Sequence, residues 1–298
     1  MAMRLRLRWI ALAVLAGVGQ WTDAHAGDAT WVTEYRASYS DYEFEIRGHG
    51  AWEPRSINRP EYDQGREFNI FEHELVIRRT GKTLFTLKDY RIEIDTSKKL
   101  YFLGTNFAIG DPIAGVEIPI LVAVTDSGGA HCCSGVAIFE IGKKFRLIDK
   151  LDFGDSSFAF ENMDGQSDLE ITLGDDNFVY WNTGFADSPM PKVILKYRDG
   201  KYQTATDLMK QLPLDREKLS ERARIIRRSD RWLKNDNARY DPELWKLMLD
   251  LIYSGNYRQA QTLLGWAWPP SVRARSDLHS GFSNVTLGVA LIGPTLHA

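Results

Sequence analysis

VAIFEIGKKFRLI, residues 136–148, is two β-branched and aromatic runs set on either side of Gly142-Lys143. Short strand-forming runs that meet at a glycine turn read as a β-hairpin. The same arrangement lies upstream, where His73–Arg79 and Thr83–Leu87 flank Thr80-Gly81-Lys82. It lies downstream as well, where Val193–Arg198 and Tyr202–Thr204 flank Asp199-Gly200-Lys201. The three glycines are 61 and 58 residues apart. Such even spacing points to one sheet unit used repeatedly. Three unrelated hairpins with common turn chemistry is the plainer reading of the same residues.

A second echo supports repetition. Asp111–Pro119 leads into the apolar run Ile120–Val124, and Asn162–Glu170 leads into Ile171–Leu173, an offset of 51 residues. That offset is close to one blade of a propeller. Three units fall short of the about four needed for closure, so an open or sandwich-like β-rich domain is expected over residues 27–205. Within it, residues 27–66 are polar and aromatic and show no firm periodicity.

After about Thr206 the pattern turns helical. Asp215–Leu233 places Leu219, Ala223, Ile226 and Leu233 on one face. Asp241-Pro242-Glu243 supplies an N-cap, a proline at the first helical position and an acid in the first turn. That helix runs through Trp245, Leu247, Leu249 and Ile252 to Gly255, and a third begins near Tyr257 and ends before Pro269-Pro270. The fold class is therefore α+β: a blade-like or sandwich-like β-rich domain, a small helical domain over 206–270, and a tail over 271–298 without periodicity.

Residues 1–26 read as a signal peptide. Arg4, Arg6 and Arg8 precede the apolar run Trp9–Val18, and Ala24-His25-Ala26 is an A-x-A cleavage site, with cutting expected after Ala26. The apolar run is too short to span a bilayer, and nothing after it approaches the ~18 apolar residues of a membrane helix. A periplasmic or secreted location follows. Removal takes away three of the 37 basic and one of the 40 acidic residues, so the remaining formal charge is −5. So mild a balance implies no nucleic-acid partner, and an envelope protein or polymer is the expected one. Two cysteines and 12% aromatics describe a chain stabilised by packing rather than by disulfide staples.

Three segments carry candidate chemistry. Asn162-Met-Asp-Gly-Gln-Ser-Asp-Leu-Glu170 resembles the Asp-rich calcium loop of integrin-type (FG-GAP-like) propeller blades. The resemblance implies Asn162, Asp164 and Glu170 as ligands of a hard cation. Gln166 and Ser167 depart from the pattern and remove charge that Ca2+ needs. Ser254–Ala267 is similar to the second half of a tetratricopeptide repeat, which implies a close-packed helical hairpin around Ala260. Arg216–Lys234 holds eight basic and three acidic residues, a solvated helix face or an anion-facing one.

The segment Asp126–Gly135, DSGGAHCCSG, is the most unusual. The chain here resembles a group of uncharacterised bacterial exported proteins with a G-G-A-H-C-C segment, followed by an Asp-rich loop and a helical part. In an extended chain His131 and Cys133 project to one face and Cys132 to the other, so His131 is placed to polarise a thiol or share a soft metal. The two cysteines are adjacent and alone, so in an oxidising compartment a vicinal disulfide between them is the expectation, although adjacent Cα atoms about 3.8 Å apart strain it. Pairing between chains, or two reduced thiols on opposite faces of a strand, are the other outcomes open to them. His49 and His73 are further candidates by residue type only.

The expected function is a non-catalytic binding or interaction module. A thiol- or metal-dependent activity at His131, Cys132 and Cys133 is the first alternative. A carbohydrate-processing enzyme with a carboxylate pair is the second, although nothing in the sequence selects the pair. No cofactor is expected, with Ca2+ at the Asp-rich loop or a soft metal at His131 and Cys133 as the exceptions the ligand types permit.

Overall fold

The computed structural model describes residues 29–54, 66–94, 108–112, 118–129, 132–180, 183–234 and 241–270. Among them, twelve strands form three four-stranded antiparallel sheets. The first holds β1 (Thr30–Tyr39), β2 (Tyr42–Pro54), β3 (Arg66–Arg79) and β4 (Lys82–Asp89). The second holds β5 (Arg91–Glu93), β6 (Ile120–Gly129), β7 (Cys132–Ile141) and β8 (Phe145–Asp152). The third holds β9 (Phe158–Glu161), β10 (Glu170–Gly174), β11 (Lys192–Arg198) and β12 (Lys201–Thr204). In each sheet neighbouring strands are consecutive in the chain, so each is an up-and-down meander.

The three hairpins of the sequence are the same hairpin of three sheets: the last two strands in each. Two of them close through left-handed backbone at both turn residues, Thr80-Gly81 and Asp199-Gly200. That is the two-residue turn whose twist matches the flanking strands. Likewise Asp111–Pro119 and Asn162–Glu170 precede the second strand of their sheets.

Strand alternation stacks the sheets. In the second sheet Leu121, Ala123, Ala137, Phe139 and Ile141 face Phe44, Ile46, Leu75, Ile77 and Leu87 of the first. Ile120, Val122, Val136 and Ile138 face the other way, onto Phe158, Phe160, Ile171, Val193 and Leu195 of the third. Successive side chains of a strand point to opposite faces, so a sheet apolar at every position is buried on both. The second sheet is the middle layer.

Residues 27–66, read as lacking periodicity, hold β1 and β2. The reason is visible in β2: Tyr42, Phe44 and Ile46 are buried, while Glu43, Glu45 and Arg47 alternate with them on a charged outward face. A strand with one polar face shows period two and little net hydrophobicity.

The helices are α1 (Thr206–Met209), α2 (Arg216–Arg227), α3 (Arg231–Lys234), α4 (Pro242–Tyr253) and α5 (Tyr257–Ala267). Expected as one helix, Asp215–Leu233 is broken after Arg227. The break lets Trp232 donate its Nε1–H to the Ile226 carbonyl at 2.7 Å and pack edge-on against Trp268 at 5.2 Å. Trp245, Leu249, Leu263 and Leu264 belong to a core made by the helices, joined by Phe178 from the β-part. Tyr253 ties that core to the third sheet and hydrogen-bonds the Asp175 carboxylate. Ala26, His131 and residues 271–298 lie outside the described residues.

Candidate cation centre

The loop Asn162–Glu170 joins β9 to β10. Asn162 closes it: its Oδ1 accepts from the Gly165 N–H at 2.6 Å and its Nδ2 donates to the Gln166 carbonyl at 2.5 Å. Asp164 Oδ1 accepts from the Gln166 N–H at 3.0 Å, and Glu170 Oε2 accepts from the Met163 N–H at 2.8 Å. These are local turn bonds of short polar side chains to nearby backbone. They shape the loop from within.

The remaining carboxylate oxygens converge. One oxygen each from Asp164, Asp168 and Glu170 lies within 4.8 Å of the others. Into that space β11 sends Lys196. Pairing of Ile171 with Leu195 and Thr172 with Ile194 carries Lys196 opposite Glu170 on the same face of the sheet. Its Nζ lies 2.5 Å from Asp164 Oδ2, 2.9 Å from Asp168 Oδ2 and 2.9 Å from Glu170 Oε1. An ammonium has three N–H donors, and here each has its own carboxylate.

Burial is deep. Glu170 is fully covered, and Lys196 and Asp168 are each 8% exposed. Burial alone would pull the Lys196 ammonium down, but the hydrogen bonds it donates to Asp164, Asp168 and Glu170 outweigh it and hold the group well above the ordinary lysine range. The same Lys196 bond, helped by the Gln166 N–H, keeps the Asp164 carboxyl below the usual carboxylate range. Tyr202, whose hydroxyl donates to the Leu169 carbonyl at 3.4 Å, is pushed up by burial first and by Asp168 and Glu170 second. A lysine so held is neither a proton acceptor near neutrality nor a nucleophile.

Of the ligands that the calcium-loop resemblance implies, Asp164 and Glu170 are in this cluster and Asn162 is spent on the turn. Sequence reasoning missed Asp168 as a member and Lys196 altogether. Asp168 sits inside the motif and was readable. Lys196 stands 26 residues beyond Glu170 and meets it only through strand register.

The second candidate is the β6–β7 hairpin. Gly129 pairs with Cys132, the first residue of β7, after a register shift at Asp126. Cys133 is half-buried and disulfide-bonded, and the chain contains one other cysteine. Its N–H donates to Ser127 Oγ at 2.6 Å, and the Gly128 N–H donates to Asp126 Oδ1 at 2.6 Å. Tyr90 presses its ring against Gly128, where a Cβ would meet Tyr90 Cδ1 at 2.3 Å. The candidate histidines of the first sheet are not brought to this tip as ligands. His49 stacks on Trp31 at 4.8 Å, and His73 pairs through Nε2 with Glu34 at 2.9 Å while Nδ1 meets the Tyr90 carbonyl.

Three large aromatic side chains are exposed, Trp52 at 52%, Phe71 at 48% and Tyr90 at 46%. The pairs Trp52–Phe68, Gly50–Ile70 and His73–Asp89 set all three toward one end of the first sheet. Among the described residues, β2 and β3 run past β1 and β4 here, which leaves the Trp52–Phe68 pair, edge-on at 5.5 Å, on a two-stranded ribbon. Among the described residues, no helix is long and apolar enough to cross a membrane. Comparison with protein-family models, with curated proteins and with solved structures found no match.

Proposed function

We propose that the protein is exported, cut after Ala26, and serves as a non-catalytic binding module of the cell envelope built from blade-like sheets. The observation that carries the reading is the exposure of Trp52, Phe71 and Tyr90 toward one end of the first sheet, with Tyr90 lying against Gly128 of the Cys133 hairpin. Aromatic rings are costly to leave in water and are the side chains that anchor interfaces. The export half of the reading rests on Arg4, Arg6, Arg8, the short apolar run and Ala24-His25-Ala26.

The test is co-sedimentation of the purified mature protein with isolated envelope fractions. The wild type is expected to sediment with them, and a Trp52→Ala, Phe71→Ala, Tyr90→Ala variant to remain in the supernatant with its melting temperature within a few degrees of wild type. Equal sedimentation of both, or of neither, rejects the reading.

One observation favours a second reading, thiol–disulfide exchange at the hairpin: Cys133 is disulfide-bonded and only partly buried next to the hairpin turn rather than sealed in a core. Exposed bridges are the labile ones. Reduction of the bridge by glutathione at a periplasm-like potential, read by alkylation and intact mass, separates this activity from a structural staple.

A further inference from the structure

We propose that Lys196 is the resident cation of the Asn162–Glu170 loop, and that the loop takes up Ca2+ only when that ammonium is removed. The inference holds whether or not the protein binds an envelope component.

Three features of the cluster carry it. The first is placement. The Lys196 ammonium sits within 2.9 Å of one oxygen from each of Asp164, Asp168 and Glu170. That is the position from which a metal would contact all three. Oxygens bound to one Ca2+ lie about 2.3–2.6 Å from it and so stand no more than about 5 Å apart. The three carboxylates already satisfy that spacing, at 4.8 Å or less.

The second is charge. Three carboxylates with side chains 14%, 11% and 0% exposed need a positive partner in place, because a buried anion without one destabilises the fold. Lys196 supplies that partner from within the chain. Loop N–H groups of Met163 and Gln166 take up further lone pairs of Glu170 and Asp164. A second cation approaching the same oxygens meets the ammonium at close range and has to displace it.

The third is origin. The ammonium comes from β11, a strand of the third sheet, whereas the carboxylates come from the loop and the first residue of β10. The lysine therefore pins the loop to the sheet as part of folding. It does so at any calcium concentration, and a bound metal would make the same contact conditional on supply. Substituting a short neutral residue vacates the ammonium's volume and leaves three hard oxygen ligands facing it, with water able to fill the other coordination positions.

The test uses the whole mature chain in EDTA and in millimolar CaCl2, read by thermal melting. Terbium luminescence, sensitised by the neighbouring Tyr202, serves as a second readout. Wild type is expected to melt at the same temperature in both and to give no site-specific terbium signal. Lys196→Ala and the longer Lys196→Gln are expected to melt roughly 10 °C lower in EDTA. At least one of them should regain half or more of that loss in CaCl2, and adding Asp164→Asn should abolish the recovery. A variant that folds only when refolded with CaCl2 counts as the same result. Calcium stabilisation of the wild type that Asp164→Ala removes overturns the proposal. So does failure of both Lys196 variants to gain stability, or to fold, with calcium present.

Discussion

Glu45 points out of the first sheet, yet its side chain is only 11% exposed. Oε1 accepts from Thr33 Oγ1 at 2.8 Å and Arg36 Nη2 at 2.9 Å, and Oε2 accepts from Arg78 Nη1 at 2.7 Å. These bonds, Arg78 first, hold its carboxyl down at about 2 against an ordinary 4.5. A carboxyl depressed by folding contributes stability that is complete above its ordinary value and lost as pH falls toward the folded one. Glu45→Gln is therefore expected to cost on the order of 2 kcal/mol near neutrality, a figure reduced for the solvent around Arg36 and Arg78. The gap between variant and wild type should close as pH drops from about 4.5 toward 2. Urea midpoints at neutral pH and near pH 3 measure it, and an unchanged gap would show that the lost charge is not the cause. Glu45 also marks what is legible one residue at a time. Its strand alternates visibly once the apolar positions are set against the charges, so β2 was there to be read. The partners of Asp164 and Glu170 were not, because Lys196 is 32 and 26 residues away and only the sheet register delivers it.

At the scale of elements, local chemistry fixes starts better than ends. Asp241 is 1% exposed, and its Oδ1 accepts from the Glu243 N–H at 2.8 Å with Pro242 in the first turn of α4. Everything needed is within three residues, which is why the cap was plain in the sequence. Asp241→Ala is expected to cost about 1–2 kcal/mol, and Asp241→Asn to recover most of it, since asparagine offers the same acceptor. Thermal melting of the two variants decides. Equal loss from both would mean that the buried charge, not the cap, is what Asp241 provides. The end of α2 had no such signal. Arg228 closes it by turning its N–H back onto the Arg224, Ile225 and Ile226 carbonyls, and the demand comes from Trp232 reaching Ile226 and Trp268. A contact with a residue 36 positions later is invisible to helical periodicity. Hairpin turns resemble caps in this respect: Thr80-Gly81 and Asp199-Gly200 needed only themselves.

Across the whole molecule, the middle sheet is the member common to two cores. Neighbouring residues of β6 and β7 enter different cores: Leu121 and Phe139 the one shared with the first sheet, Ile120 and Ile138 the one shared with the third. Among the described residues, neither outer sheet has a second apolar layer of its own to lean on in this way. The third is met by the small α1 cluster of Ala205 and Met209, and the first turns a charged face outward. Phe139 is fully buried, with Phe85 of the first sheet at 5.1 Å and Phe145 at 5.9 Å. Phe139→Ala removes a ring from that contact and leaves a cavity, expected to cost about 3–5 kcal/mol. Thr86→Ala, on the outward side of β4, should change stability by less than about 0.5 kcal/mol. The cost falls on the first core, but the second sheet cannot lose its packing there without loosening its other face. The three sheets should then unfold together, with one calorimetric transition that moves down as a unit in Phe139→Ala and keeps its enthalpy ratio near one. Amide exchange gives the spatial form of the same claim. Leu121–Ala123 and Val136–Ile138 should be the slowest to exchange, opening only with the whole molecule, while β1 and the β2–β3 ribbon exchange by local opening. Separate transitions for the first and third sheets, or fastest exchange in β6 and β7, would mean that each sheet is held by its own hairpins and that stacking contributes little.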